Sequence, residues 1–323
     1  MSPSDPLQLG FIPLVDSAPL IVAQEKGFFA AEGLSVSLSR EGSWATIRDK
    51  VAAGALDGAH MLAPMVLAAS LGIGSEPKAM IAPIALNRGG AAVTLSTRLT
   101  GDGDAGARLT HLVRRRQEEG ASPLTLAAVY PFSIHNYLLR HWLAGLGLNP
   151  EVDVRLTVVP PPRTAALLEE GVIEGFCAGA PWNAVAMAAG VGQTVLRATE
   201  VWPEAPDKVL GVTEFWAAAN PAILLALIRA LAAAGDWAAD PRNQPELVAL
   251  LARPEFLDAT PEAIASSLTE ITFAGPLVNP PRREQAVWLL DQMARWGQIG
   301  EVATDKVTER CWRPDLYLAA QAG

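Results

Sequence analysis

MIAPIALNRGGAAVTLS, residues 80–96, decides how the chain is organised. Residues 80–86 and 91–96 are apolar runs of strand length, and Asn87, Arg88, Gly89 and Gly90 between them are polar and glycine-rich. Apolar runs bounded by turn residues read as buried strands, so the chain makes a crossing here from one set of elements to another. Upstream, strands at 7–14, 34–39, 56–62 and 80–86 alternate with helices through 29, after Ser43 and over 64–71. Asp16 and Ser17 are cap candidates for the first helix, and Ser43 caps the second. Downstream a new series starts: strands at 91–96, 124–129, 154–159 and 173–177, with helices at 106–119, 135–146, 163–170 and from 181. A strand at 208–216 then leads into helices at 222–234, 245–251, 261–267 and 282–296, which read as a return to the first set. The alternation predicts an α/β fold of two lobes joined by two hinge strands, residues 1–87 plus 212–323 forming one lobe and 88–211 the other. Ligands of such folds sit at the carboxyl ends of strands, where helix starts favour anions.

Composition narrows the function. The 323 residues carry a net charge of −9, with 50% hydrophobic and 18% charged residues, enough to bury two cores. Arg114, Arg115 and Arg116 are followed closely by Glu118 and Glu119, so no basic patch for direct nucleic-acid binding is seen. An acidic protein that captures an anion must supply positive charge locally. Cys177 and Cys311 are far apart, show no metal-ligand spacing and allow at most one bridge. GxSxG, HExxH and P-loop patterns are absent, and no catalytic residue, metal or cofactor is expected. Met1-Ser2-Pro3-Ser4-Asp5-Pro6 shows no leader signature, which predicts a cytoplasmic protein. The apolar run at 221–234 is interrupted by Arg229 and too short to span a bilayer, so no membrane association is expected.

Several motifs in register resemble one family. Gly10-Phe11-Ile12-Pro13-Leu14, Lys26-Gly27-Phe28-Phe29, Ser43-Trp44 with Arg48-Asp49, Gly58-Ala59-His60-Met61-Leu62 and Asn87 are similar to the nitrate and bicarbonate receptors of cyanobacterial-type uptake transporters. So are Val159-Pro160-Pro161-Pro162, Gly175-Phe176-Cys177-Ala178-Gly179-Ala180-Pro181-Trp182, Trp202-Pro203, Pro206-Asp207-Lys208-Val209-Leu210-Gly211 and Ala294-Arg295-Trp296-Gly297. The resemblance implies a type II periplasmic-binding-protein-like fold and covers most of the chain. With no leader expected, the wording at 176–182 most resembles the NasS-type cytoplasmic nitrate/nitrite sensors. That likeness implies a sensor that holds a NasT-like ANTAR antiterminator when empty and releases it on ligand binding, controlling nitrate assimilation genes. A transporter's binding component for nitrate, bicarbonate or a sulfonate is the alternative. An enzyme resembling thiamine-pyrimidine synthases is a third, but it requires a cysteine-rich segment that two cysteines do not supply.

Carried over by resemblance, ligand contacts fall on Trp44, His135 and Lys208. The family's glutamine after the hinge glycine is Ala91 here, and its glutamate before Pro-Trp is Ala180. Asn87 is placed to replace a lost donor, and Gly89, Gly90 and Gly179 let backbone N–H groups approach the ligand. The chemistry suits nitrate or nitrite. Nitrate is a planar monoanion needing one compensating charge, read here as an unpartnered Lys208, with His135 and the Trp44 indole as donors. Each residue also has a plain structural reading. Trp44 is then a packing anchor, His135 a capping neighbour or solvated, Lys208 a surface lysine, His60 a satisfied core histidine, Cys177 a small buried hydrophobe and Trp182 core.

Overall fold

The computed structural model describes residues 6–101 and 103–322; the stretch at 1–5, most of the segment read for a leader, lies outside them. In chain order the strands are β1 (Leu7–Phe11), β2 (Val36–Arg40), β3 (Gly58–Leu62), β4 (Met80–Gly89), β5 (Ala91–Ser96), β6 (Leu124–Ala128), β7 (Val154–Val158), β8 (Gly175–Gly179), β9 (Gly192–Arg197), β10 (Pro206–Thr213) and β11 (Ile271–Thr272). Among the described residues they form two mixed sheets, ordered β11-β4-β10-β3-β1-β2 and β7-β6-β8-β5-β9. Each sheet has parallel strands of the β-α-β kind, β1 with β2 and β3, β6 with β7 and β8. An antiparallel strand is inserted into each, β10 between β3 and β4, and β5 between β8 and β9. This is the expected two-lobed α/β architecture, and the crossing read at residues 87–90 is where β4 hands over to β5.

The crossing turns at Gly89 and Gly90, with φ of +78° and +84°. A Cβ on Gly89 would stand 2.2 Å from the Glu270 carbonyl oxygen, so both the backbone angle and the space demand glycine. The lobe boundaries differ from those expected at 88 and 211. Pro206 pairs with Arg88, and Lys208 with both Leu62 and Asn87, so β4 through Gly89 and all of β10 belong to the first sheet. The strands of the second sheet lie within 91–197. A buried apolar strand looks the same in sequence whichever sheet it joins; the choice is made by long-range pairing.

The first lobe's core is built on the helix Pro221–Ala239, which runs beyond the apolar stretch ending at Ala234 and is long and apolar enough to cross a membrane by composition alone. Here Leu224, Leu227, Ile228 and Leu231 pack with Leu20, Ile21 and Val22 of the helix Ala18–Glu25 and with Leu9 of β1 in one cluster. Burying one such side chain contributes about 1.5–3 kcal/mol, so this helix pair stabilises the lobe by several times that amount. Two C-terminal helices that sequence periodicity did not reveal, Thr304–Cys311 and Pro314–Gln321, close the lobe.

The lobes touch along the cleft. The Trp182 indole donates to the Pro13 carbonyl at 3.0 Å, the Val15 amide to the Ala180 carbonyl at 2.9 Å, and Arg48 to the Tyr130 hydroxyl at 2.8 Å. The Tyr137 hydroxyl donates to Gln298 at 2.8 Å, and Gln298 donates to the Pro131 carbonyl at 3.0 Å. Trp182 is thus more than core: it fastens one lobe to the other.

Candidate functional site

Local structure sets the site. Ser43 caps the helix Trp44–Ala53 by accepting the Thr46 amide, and Ser133 caps Ile134–Gly145 by accepting that of Asn136. These caps put Trp44 and His135 in the first turns of their helices, at the lobe interface. Lys208 lies on β10, whose pairing with β4 is irregular at Pro206, Lys208 and Val209. In a regular strand successive side chains face opposite sides; a bulge re-aims them. That explains how neighbours Asp207 and Lys208 come to touch, with Lys208 Nζ 2.7 Å from Asp207 Oδ2.

The expected unpartnered ammonium is corrected by this geometry. Lys208 Nζ also donates to Asp16 Oδ2 at 2.7 Å, and all three side chains are buried. Asp16, read as a helix cap, caps nothing: its other oxygen lies 2.8 Å from His60 Nε2. His60 is partly satisfied, as the plain reading has it, yet it also packs at a tilt against Trp44, with centroids 5.4 Å apart and ring planes at 46°. Lys208 Nζ stands 5.7 Å from the Trp44 ring centroid, within cation–π range. Across the cleft, a Cβ on Gly179 would lie 3.4 Å from both Asp16 Oδ2 and His135 Nε2. Gly179 and His135 of the second lobe therefore face the charged cluster of the first.

Two expected contacts also have backbone duties. Asn87 accepts the Lys208 amide at 3.2 Å and donates one amide hydrogen to the Gly89 carbonyl at 3.2 Å, tying the hinge to the lysine's backbone. Gly90 accepts the Ala180 amide at 3.0 Å. The residues that sequence reading left without a role at the site are Asp16 and Asp207. An aspartate directly before the lysine was the visible signal for the second; nothing local marked the first.

Burial and charge compete throughout. Burial pushes the Asp16 carboxyl up, but the Lys208 ammonium and the His60 bond outweigh it and hold it well below its ordinary value. Burial lifts Asp207 to about 6 against the pull of Lys208, with Asp16 adding repulsion. Burial opposes the Lys208 charge, yet the two carboxylates raise its pKa above the usual lysine range. Burial, reinforced by Lys208, drives His135 well below its ordinary value, and burial lowers His60 despite Asp16. Cys177, a free buried thiol like Cys311, is pushed well above the ordinary range by burial and by Asp207. Among the described residues, Trp44 Nε1, His60 Nδ1, both ring nitrogens of His135 and Asp207 Oδ1 are buried with no hydrogen-bond partner. Such atoms are rare in folded proteins and costly to leave unmatched. Among the same residues no group of three or more His, Cys, Asp or Glu is placed to hold a metal ion.

Comparisons agree with this architecture. Residues 1–252 match the NMT1-like family. The nitrate import ATP-binding protein NrtC of Synechocystis sp. is 38% identical over 96% of this chain, which spans 49% of that protein. The chain thus covers about half the length of that relative and of the bicarbonate transport ATP-binding proteins CmpC, one of them 40% identical. The nitrate/nitrite binding protein NrtA of Synechococcus elongatus is 30% identical, over 97% of this chain and 76% of that one. Among solved structures, the periplasmic nitrate-binding protein NrtA from Synechocystis superposes with a TM-score of 0.90 at 28% identity, covering 98% of this chain and 88% of that one. A desulfurization enzyme, DSZB, shares the fold alone at 14% identity and a TM-score of 0.60. With a family match over most of its length and an NrtA relative 30% identical over 97% of this chain and 76% of that one, the chain belongs to the NMT1-like family, alongside the nitrate/nitrite binding proteins of NrtA type.

Proposed function

We propose that this chain binds nitrate or nitrite between its lobes. The observation that carries the reading is the set of unmatched buried nitrogens, Trp44 Nε1 on one lobe and His135 on the other, around a fully buried Lys208. A planar oxyanion accepts in-plane hydrogen bonds from such donors and brings negative charge to the ammonium. Isothermal calorimetry with potassium nitrate tests this: binding in the micromolar range is expected, lost in Lys208→Ala, and chloride at the same concentration should give no heat. At nitrate a hundred times Kd, stabilisation of about 2.7 kcal/mol is expected in thermal unfolding. Equal binding of chloride refutes an oxyanion site.

Bicarbonate is the second reading, and a specific observation favours it. Asp207 Oδ1, and His60 Nδ1 when the ring's proton sits on the nitrogen facing Asp16, are acceptors without donors. Bicarbonate has a hydroxyl to offer them and nitrate has none. Relatives named for bicarbonate transport support testing it beside nitrate.

As to what binding accomplishes, our reading is a cytoplasmic sensor. The empty protein holds a NasT-like ANTAR antiterminator, and closure of the lobes on nitrate releases it. The motif resemblance at residues 176–182 and the cross-lobe bonds from Trp182, Val15 and Arg48, which exist only when the lobes meet, support this reading. Service to an uptake transporter, as a receptor or as a regulatory segment, is the competing use and is favoured by the NrtC and NrtA relatives. Co-purification with the antiterminator decides: a complex dissolved by nitrate is expected, and one indifferent to nitrate removes the sensor role.

A further inference from the structure

The charge balance of the site is negative before any anion enters. One ammonium, Lys208, lies 2.7 Å from each of two carboxylates, Asp16 and Asp207. The other titratable groups facing the cluster come from β3, the helix Ile134–Gly145 and β8. They are His60, bonded to Asp16, His135, which feels the charges of Lys208 and Asp16, and Cys177, which feels those of Asp207 and Lys208. From β4 the neighbour is the uncharged Asn87. Burial keeps both imidazoles neutral and Cys177 a thiol at neutral pH. A monovalent anion placed here meets a net negative charge in a site sealed from water, where like charges repel strongly. One charge has to be removed. Asp16 is held by both Lys208 and His60, whereas Asp207 has Lys208 alone and an Oδ1 without a partner.

We propose that Asp207 makes anion binding proton-coupled, nitrate entering together with one proton from solvent that converts the Asp207 carboxylate to the acid. One O–H bond forms on Asp207 as one breaks in the hydronium or buffer acid that supplies the proton; the acid then has a hydrogen to donate, where the carboxylate had only lone pairs. The same two carboxylates select against divalent oxyanions such as sulfate, which would need a second proton. This rests on the anion-binding reading above.

Without ligand Asp207 is poised at about 6, and a nearby anion raises it further. Above that pH the free protein lacks the proton and the complex holds it, so affinity falls as pH rises, about tenfold per pH unit. Below about 6 the proton is already present and the dependence flattens.

Calorimetry on the full chain with potassium nitrate, in two buffers of different protonation enthalpy at pH 7.5, counts the protons. Uptake of about one is expected, with Kd rising about tenfold between pH 7 and 8. Asp207→Asn should bind with no uptake and little pH dependence, and about 100-fold more tightly than wild type at pH 8, two pH units above the poise at tenfold each. Sulfate at the same concentration should fail to displace nitrate. Nitrate binding without proton uptake by the wild type overturns the proposal while leaving the receptor reading intact, and this measurement stands even if the variant does not fold. Uptake retained in Asp207→Asn overturns the assignment to Asp207. No heat with nitrate, nitrite or bicarbonate from pH 5 to 8 refutes the receptor reading and the proposal together.

Discussion

Replacing Lys208 by Met should destabilise the ligand-free protein far more at alkaline than at acid pH. The side chain is fully buried between Asp16 and Asp207, and methionine keeps most of its length while removing the charge. Two carboxylates are then left buried without a cation, a change that costs about 3–5 kcal/mol. For a protein of this size class such a loss lowers Tm by on the order of 10 °C. The sign with pH follows from the carboxylates. In the wild type Asp16 is depressed, so its contribution is present above its unfolded pKa and lost as pH falls through the folded value. In the variant both carboxyls rise above their unfolded values, so the variant keeps its stability at low pH and loses it as pH climbs through the raised pKa values. The gap to wild type should be widest near pH 8 and shrink to about 1–2 kcal/mol near pH 5. Urea unfolding followed by circular dichroism at both pH values measures it. Adding Asp16→Asn and Asp207→Asn to Lys208→Met should recover most of the loss, because neutral groups need no counter-charge. A loss below about 1 kcal/mol at pH 8, or one equal at both pH values, refutes the view that Lys208 is the counter-ion of a buried acidic pair.

Gly179→Ala should fold with nearly unchanged Tm, since its Cβ meets neighbours at ordinary contact distances of 3.4 Å, yet lose nitrate affinity because that Cβ projects between Asp16 and His135; unchanged calorimetric Kd counts against a ligand there. Trp44→Phe removes the unmatched indole donor and should weaken binding about tenfold, one hydrogen bond's worth of about 1–1.5 kcal/mol, which titration of the variant will show. Asp207→Asn should stabilise the empty protein by up to about 3 kcal/mol at pH 8, because the carboxyl sits about two pH units above its ordinary value; the gain should vanish below pH 4 in denaturant unfolding. Tyr130→Phe deletes an acceptor for Arg48 across the cleft and should speed ligand release several-fold in stopped-flow measurements, with little change in Tm.

Much of the fold was legible because its signals are local. Ser43 and the apolar spacing after it marked a helix start that the structure places one residue on, and the polar, glycine-rich 87–90 marked a crossing because such residues permit turns that others resist. What could not be read depends on partners distant in sequence. The Lys208–Asp16 pair spans 192 positions, and Asp16 sits before a helix, where aspartate ordinarily means a cap. Trp44, His135 and Lys208 do gather at one lobe interface, but the anticipated balance of one cation for one anion omitted the acids. The membership of β10 in the first sheet was hidden for a similar reason: eight buried residues in a row fit a central strand of either lobe.

That membership has a kinetic consequence. Asp16, Trp44, His60, Asp207 and Lys208 all belong to the first lobe, while His135 and Gly179 belong to the second. When the lobes part, the polar cluster stays whole on one side and only the cover is withdrawn. On the anion-binding reading proposed above, ion capture is governed by one half of the molecule and residence time by the other, so substitutions in the two halves should separate cleanly into changes of entry rate and changes of escape rate.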